Sequence, residues 1–221
     1  MAEPADIIAA IRAGDIPRIQ QLLKDDPQLA HARGEAGEPA LLLAIYHRQR
    51  KAADLLVSAG ADVDVFAAAA AGYLDRLRDE VERDSSTVNA FNHDGWTPLH
   101  LAAYFGQLAA AEFLLSRRAD IAAVSRNTTA NMPLHAALSA RQTDLARLLL
   151  DRGANPNAAS AGGWRPLHQA ADNGDIAGIE LLLASGAEVS APGPDGRTPL
   201  SMAVAKDRHE AADLLRRHGA V

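Results

Sequence analysis

The chain has 221 residues, of which 48% are hydrophobic, 4% aromatic and 23% charged, and its formal net charge is −6 at pH 7. It contains no cysteine, which excludes disulfides, thiolate nucleophiles and cysteine-based zinc sites. The negative charge disfavours a general nucleic-acid binder, because such proteins usually carry a basic stripe. With so few aromatic residues, alanine must supply much of the packing, which favours closely spaced helices.

The amino terminus, from Met1 to Asp6, lacks the basic start and apolar run of a signal peptide. No run of about 18 apolar residues occurs in the chain, so we expect no membrane-spanning segment. A cytoplasmic protein is therefore expected. Arginine is common and lysine is rare, which favours a bacterial source.

The amino-terminal half contains an internal duplication. A shift of 58 residues lays residues 7–60 over residues 65–118 and aligns many apolar positions. Only a few residues separate the end of the second unit at Gly60 from the start of the third unit near Phe66. We therefore predict that the hairpin loop between successive units, called the finger below, is missing or very short at this junction.

The carboxyl-terminal half repeats a proline–leucine motif, and the prolines lie 35, 33 and 33 residues apart. A first-turn proline costs a helix no hydrogen bond, and a preceding threonine can cap the helix. Each motif is followed by an alanine-rich stretch and then a leucine-rich run, so each unit is predicted to form two short helices. The four motifs are Thr97-Pro98-Leu99-His100, Met132-Pro133-Leu134-His135, Arg165-Pro166-Leu167-His168 and Thr198-Pro199-Leu200-Ser201.

Each unit resembles an ankyrin repeat, and the resemblance covers nearly the whole chain. It implies an all-α solenoid of about seven helix-turn-helix repeats with short β-hairpin fingers, in which stacked neighbours bury each other's apolar faces. We interpret residues 1–221 as a single ankyrin-repeat domain. The expected repeats are approximately residues 4–36, 37–62, 63–93, 94–128, 129–161, 162–194 and 195–221.

Some positions depart from the regular repeat. Two extra residues lie between repeats four and five, within the stretch Ser125–Thr129. Arg118 and Arg141 stand where the pattern expects glycine. A non-glycine residue costs roughly 1 kcal/mol where the backbone must be left-handed.

His100, His135 and His168 occupy the same place in successive repeats. Stacked helices lie roughly 8–10 Å apart, whereas zinc–imidazole bonds are roughly 2.0–2.1 Å, so the three rings are too far apart to share one ion. We therefore predict that each ring forms hydrogen bonds to the backbone, which is also the role that the resemblance implies. We predict no catalytic site, no metal site and no cofactor.

Aromatic residues indicate the binding surface. Tyr46, Tyr104 and Phe105 end first helices, and Trp96 and Trp164 precede a proline on a finger. In ankyrin proteins such positions line the concave face, and tyrosine and tryptophan are enriched in binding hot spots. The predicted partner-binding residues are Tyr46, His47, His93, Trp96, Tyr104, Phe105, Arg126, Asn127, Trp164, Arg165, Asp172 and Arg197.

The first functional hypothesis is a non-catalytic protein–protein interaction module, an adaptor, scaffold or inhibitor, that is a monomer by itself and binds an unknown protein partner through its concave face. The second hypothesis is a metal- or histidine-dependent enzyme built from the histidine row. The third is a polyanion or nucleic-acid binder that uses Arg126, Arg141, Arg165 and Arg197. Acidic residues near these arginines disfavour the third hypothesis.

Overall fold

The structure is a computed structural model that describes residues 3–221. Within this range fourteen α-helices form seven antiparallel pairs and no strand occurs, so the all-α repeat prediction is confirmed. The first helices of the pairs are α1 (Pro4–Ala13), α3 (Ala40–Tyr46), α5 (Val65–Ala71), α7 (Pro98–Phe105), α9 (Pro133–Ser139), α11 (Pro166–Asn173) and α13 (Pro199–Ala205). The second helices are α2 (Ile16–Asp25), α4 (Arg50–Ser58), α6 (Leu74–Arg83), α8 (Leu108–Ser116), α10 (Thr143–Asp151), α12 (Ile176–Ala184) and α14 (His209–Arg217).

The helices begin and end where the sequence carries capping residues. The Thr97 hydroxyl accepts a hydrogen bond from the backbone N–H of His100 at the start of α7, and the Asp64 carboxylate caps α5 in the same way. Gly106 ends α7 in the left-handed conformation, with φ 73°, which glycine adopts without a Cβ penalty. One pair of helices falls in each of the seven expected repeats.

Three arginines adopt the left-handed conformation that the repeat pattern assigns to glycine. Arg118 has φ 65°, Arg141 has φ 55°, and Arg48, at the position of Gly106 in the duplication, has φ 56°. The backbone turn is therefore kept even where the sequence lacks the residue that forms it most easily.

The helices group into two compact units, Met1–Thr87 and Val88–Val221. In the second unit, α9 packs between α7 and α11, and α11 packs against α13. The second helices form another layer in which α10 contacts α8 and α12. Alanines buried on the first helices let these helices approach closely, and leucines such as Leu114, Leu149 and Leu182 fill the space between the layers.

In the first unit, α3 packs against α1 and α5. Helix α4 ends at Ser58 and α5 already begins at Val65, with Asp64 as its cap. The six residues between them form no finger, as the sequence predicted.

Elsewhere the fingers are tight turns. In four of them a backbone N–H donates to the carbonyl four residues later, as Asn92 does to Trp96 over 2.9 Å. The fifth-repeat finger is longer, and its closing bond runs from Ser125 to Asn131. The expected β-hairpins are therefore reduced to turns, and the described residues contain one isolated β-bridge, between Arg33 and Pro39.

None of the helices formed by residues 3–221 combines the length and the apolar character needed to cross a bilayer.

Candidate functional site

A groove of about 660 Å³ runs along the Val88–Val221 unit, between the fingers and the carboxyl-terminal parts of the first helices. It spans repeats five to seven. The stacking of the repeats creates it, because equivalent positions in successive repeats line the same surface. Its helix side includes Ser139, Gln169, Asp172, Met202 and Lys206, and its finger side includes Thr128, Thr129, Asn131, Ser160, Gly162, Trp164 and Arg197.

Trp164 is the aromatic residue of this groove. Its ring packs edge-on against His168, with the ring centroids 5.3 Å apart. The guanidinium of Arg197 lies 5.1 Å from the Trp164 ring centroid and is held by the Asp195 carboxylate at 2.6 Å. Gly193 permits this packing, because a Cβ there would lie 2.5 Å from the indole. The indole is half-buried, so it presents an apolar surface to the groove.

A second aromatic cluster lies in repeat four. Trp96 and Tyr104 meet edge-on at 5.5 Å, and Tyr104 meets Phe105 edge-on at 5.2 Å. All three rings are half-buried. The sequence predicted these residues and Trp164 along one surface, and the ring contacts of the structure divide them into two clusters. Repeat five separates the clusters, since Asn131 occupies the position of the two tryptophans.

Four other predicted residues contact their own finger or a neighbouring loop and do not line the groove. The Arg126 guanidinium lies 3.8 Å from the Phe91 ring centroid. The Asn127 amide donates to the Asp94 carbonyl.

The other two of these residues, His93 and Arg165, lie against carboxylates. His93 Nε2 lies 3.1 Å from an Asp94 carboxylate oxygen, and Arg165 forms an ion pair with Glu188 at 2.6 Å. Arg165 follows Trp164 directly, and successive side chains of an extended segment point to opposite sides.

Tyr46 and His47 belong to the Met1–Thr87 unit. Tyr46 is half-buried at the end of α3, and His47 is exposed as the residue after it. The assignment of all these residues to a partner-binding surface stays a prediction.

The histidine row ties each repeat to the next one. His100 Nε2 donates to the Asn131 carbonyl over 3.0 Å, while its Nδ1 accepts from the Thr97 backbone N–H. In the next two repeats, His135 Nε2 donates to the Trp164 carbonyl and His168 Nε2 donates to the Arg197 carbonyl, each over 3.2 Å. This pattern requires neutral rings with the proton on Nε2.

Burial agrees with that neutral state. Removal from water lowers the pKa of His100 to about 4, and it lowers the pKa of His135 and of His168. The rings are thus neutral at pH 7 and already hydrogen-bonded, which is the structural role expected from the sequence. Among residues 3–221, no group of three or more His, Cys, Asp or Glu side chains is placed to hold a metal ion.

Two charged side chains in the groove, those of Asp172 and Lys206, form no ion pair with residues 3–221. Asp172 is half-buried and Lys206 is exposed. No oppositely charged group of residues 3–221 lies within 4.0 Å of the Asp172 carboxylate or the Lys206 ammonium. The groove therefore offers one free negative charge and one free positive charge.

Asp172 and Arg197 were among the sequence-predicted residues, whereas Gln169, Met202 and Lys206 were missed. The aromatic pattern drew attention to positions occupied by large rings. The repeat register would have found Gln169 and Met202, because both stand three residues after the motif proline of their helix, whereas Lys206 is one position out of register with Asp172.

The comparisons with known proteins agree with this architecture. A family model described as ankyrin repeats in three copies matches residues 122–193 and 162–221, and a second, described as ankyrin repeats in many copies, matches residues 65–115. The chain belongs to the ankyrin-repeat family. Ankyrin repeats generally act as protein–protein interaction modules and are generally non-enzymatic.

Several known proteins are similar in sequence to the chain. The chain is 34% identical to the mouse B-cell lymphoma 3 protein homolog over 65% of its own length and 31% of that protein. It is 26% identical to the probable 26S proteasome regulatory subunit p28 of Saccharomyces cerevisiae, over 90% of its own length and 78% of the relative. It is 33% identical to mouse neurogenic locus notch homolog protein 1 over 65% of its length and 6% of that relative. The chain thus spans less than a third of two of these three proteins.

Proposed function

We propose that this chain is a non-catalytic protein-binding module, and that the groove of the Val88–Val221 unit receives the partner protein. The observation that supports the proposal is the groove itself. It combines a half-buried tryptophan with hydrogen-bonding groups and two charges that have no partner among the described residues. Aromatic anchors surrounded by polar groups are typical of interfaces.

The alternative uses of the surface have less support. The histidines that a catalytic or metal site would need are occupied by hydrogen bonds between repeats. The four arginines proposed for polyanion binding are also engaged. Arg165 and Arg197 pair with carboxylates, Arg126 stacks on a phenylalanine, and Arg141 donates to the Asn173 carbonyl. A polyanion would have to displace these contacts.

The module acts as an adaptor, scaffold or inhibitor of its partner. We infer a cytoplasmic protein that is a monomer by itself. In this interpretation the groove lies on the concave face of the Val88–Val221 unit.

The test is affinity capture with the wild-type chain, with Trp164→Ala and with the control Leu108→Ala. Leu108 is 40% exposed on α8 and does not line the groove. A partner of the groove should be captured by the wild type and the control, and its affinity for Trp164→Ala should fall more than tenfold, because a central aromatic anchor contributes at least ~2 kcal/mol. Circular dichroism verifies that each variant is folded. Equal binding by a folded Trp164→Ala variant would show that the partner uses another surface.

A further inference from the structure

The two unpartnered charges in the groove point to the chemistry of the partner. Asp172 is the seventh residue of α11, and Lys206 is the residue directly after α13. These helices pack against each other, and packed helices are separated by about 8–10 Å. Their helices therefore lie about one repeat apart, and both side chains line the groove.

A partner that covers these groups must supply opposite charges. A charge removed from water without compensation costs several kcal/mol, and an ion pair with the partner offsets that cost. Arg208 donates to the backbone carbonyl of Asp172 and forms no ion pair with its carboxylate, and Arg197 on the finger side is already paired with Asp195. Asp172 thus selects a cationic side chain, and Lys206 selects a carboxylate.

The polarity of the groove favours an extended segment over a helix. A docking helix needs a row of apolar contacts, whereas the apolar side chains of this groove are Trp164 and Met202.

An extended segment, unlike a helix, must find hydrogen-bond partners for its backbone in the groove. Its backbone N–H and C=O groups require partners. The Gln169 amide and the Ser139 and Ser160 hydroxyls line the groove and make no side-chain hydrogen bond to any residue in the range 3–221. These groups can satisfy the backbone of an extended segment.

We propose that the groove binds an extended segment of a partner protein that carries a cationic side chain and a carboxylate two or three positions apart. The cation lies against Asp172 and the carboxylate against Lys206. Residues two apart in a strand are about 6.7 Å apart, and residues three apart in a polyproline II helix are about 9.3 Å apart and share a face. Both spacings suit charged side chains on helices about one repeat apart. This inference rests on the proposed function, because it assigns chemistry to the same groove.

The test uses a phage-displayed library of random linear peptides and the full-length chain. Peptides selected on the wild type should be enriched in a Lys or Arg and an Asp or Glu at the stated spacing. A synthetic peptide of this kind should lose at least tenfold in affinity for the double variant Asp172→Lys/Lys206→Asp. Exchanging the two charges within the peptide should restore binding to that variant.

The matched control is the double variant Arg147→Asp/Glu180→Lys, which reverses two exposed charges on α10 and α12 and also leaves the net charge unchanged. Binding of the selected peptide to this control should equal binding to the wild type. Circular dichroism verifies that both double variants are folded.

The outcomes separate the two proposals. Peptides that require Trp164 but tolerate the reversal of Asp172 and Lys206 would overturn the charge pattern and leave the groove as the binding surface. Peptides that bind Trp164→Ala as well as the wild type, or a library that yields no binder, would count against both.

Discussion

The histidine row makes the stability of this ankyrin protein depend on pH in a range where carboxylates contribute little. His100, His135 and His168 are buried as neutral rings, and burial lowers the pKa of each one. The unfolded chain, with histidine pKa values of about 6.5, therefore binds protons that the folded chain does not. This contribution to stability is fully present above pH 6.5 and is lost as the pH falls toward the folded pKa values.

The size of the effect follows from His100, whose pKa falls from 6.5 to about 4. One pKa unit corresponds to about 1.36 kcal/mol. Between pH 7.5 and pH 5.0 the ring of the unfolded chain becomes protonated below its pKa of about 6.5, while the folded ring stays neutral. The pH falls about 1.5 units below that pKa, so this residue should lower the free energy of unfolding by about 2 kcal/mol. His135 and His168 act in the same direction. Asp84 and Asp195 also have lowered pKa values, but from 3.8, so they act at lower pH.

The assay is urea unfolding followed by circular dichroism at pH 7.5 and pH 5.0. In His100→Gln the amide can still donate to the Asn131 carbonyl but cannot titrate, so this variant should lose about 2 kcal/mol less than the wild type between the two pH values. His209→Gln, on the exposed surface of α14, controls for the substitution itself.

Nuclear magnetic resonance of the His100 ring gives the folded pKa directly. If that ring titrates near 6.5 in the folded protein, the reasoning from burial and hydrogen bonding is wrong. The same conclusion follows if the wild type and His100→Gln lose equal stability between pH 7.5 and pH 5.0.

Two further predictions concern backbone conformation and the stacking of the fingers. Arg118→Gly should raise the free energy of unfolding by about 1 kcal/mol, because it relieves a left-handed arginine. Gly153→Arg at the equivalent turn should lower it by a similar amount. A Cβ at Gly153 meets no atom within 4 Å, so only the left-handed backbone conformation contributes to this cost. Urea unfolding at pH 7.5 measures both, and unchanged stability in both variants would contradict the assigned turn. Gly95→Ala should destabilise by at least another ~1 kcal/mol beyond Gly196→Ala, because both glycines have positive φ but only a Cβ at Gly95 would lie 2.7 Å from the backbone of the next finger. Thermal unfolding compares the pair, and equal losses would mean that the fingers do not constrain each other.

The sequence by itself determined the repeat, because the repeat is a local property. Proline at the first turn, threonine as cap and glycine at the left-handed turn each act within a few residues. These residues located seven helix pairs and the junction without a finger between Gly60 and Phe66. They also indicated the role of the histidines, since identical positions in stacked units meet identical surroundings.

Only the tertiary structure decided which side chains share the groove and which are already engaged. Arg165 and Asp172 looked equivalent in the sequence, yet Arg165 pairs with Glu188 while Asp172 faces the groove unpaired. Lys206 drew no attention as a single lysine near the carboxyl terminus, and the stacking of α13 on α11 places it in the groove with Asp172. Such pairings depend on contacts between residues about 20 to 35 positions apart, and side-chain direction across repeats is fixed by packing, which local sequence patterns do not encode.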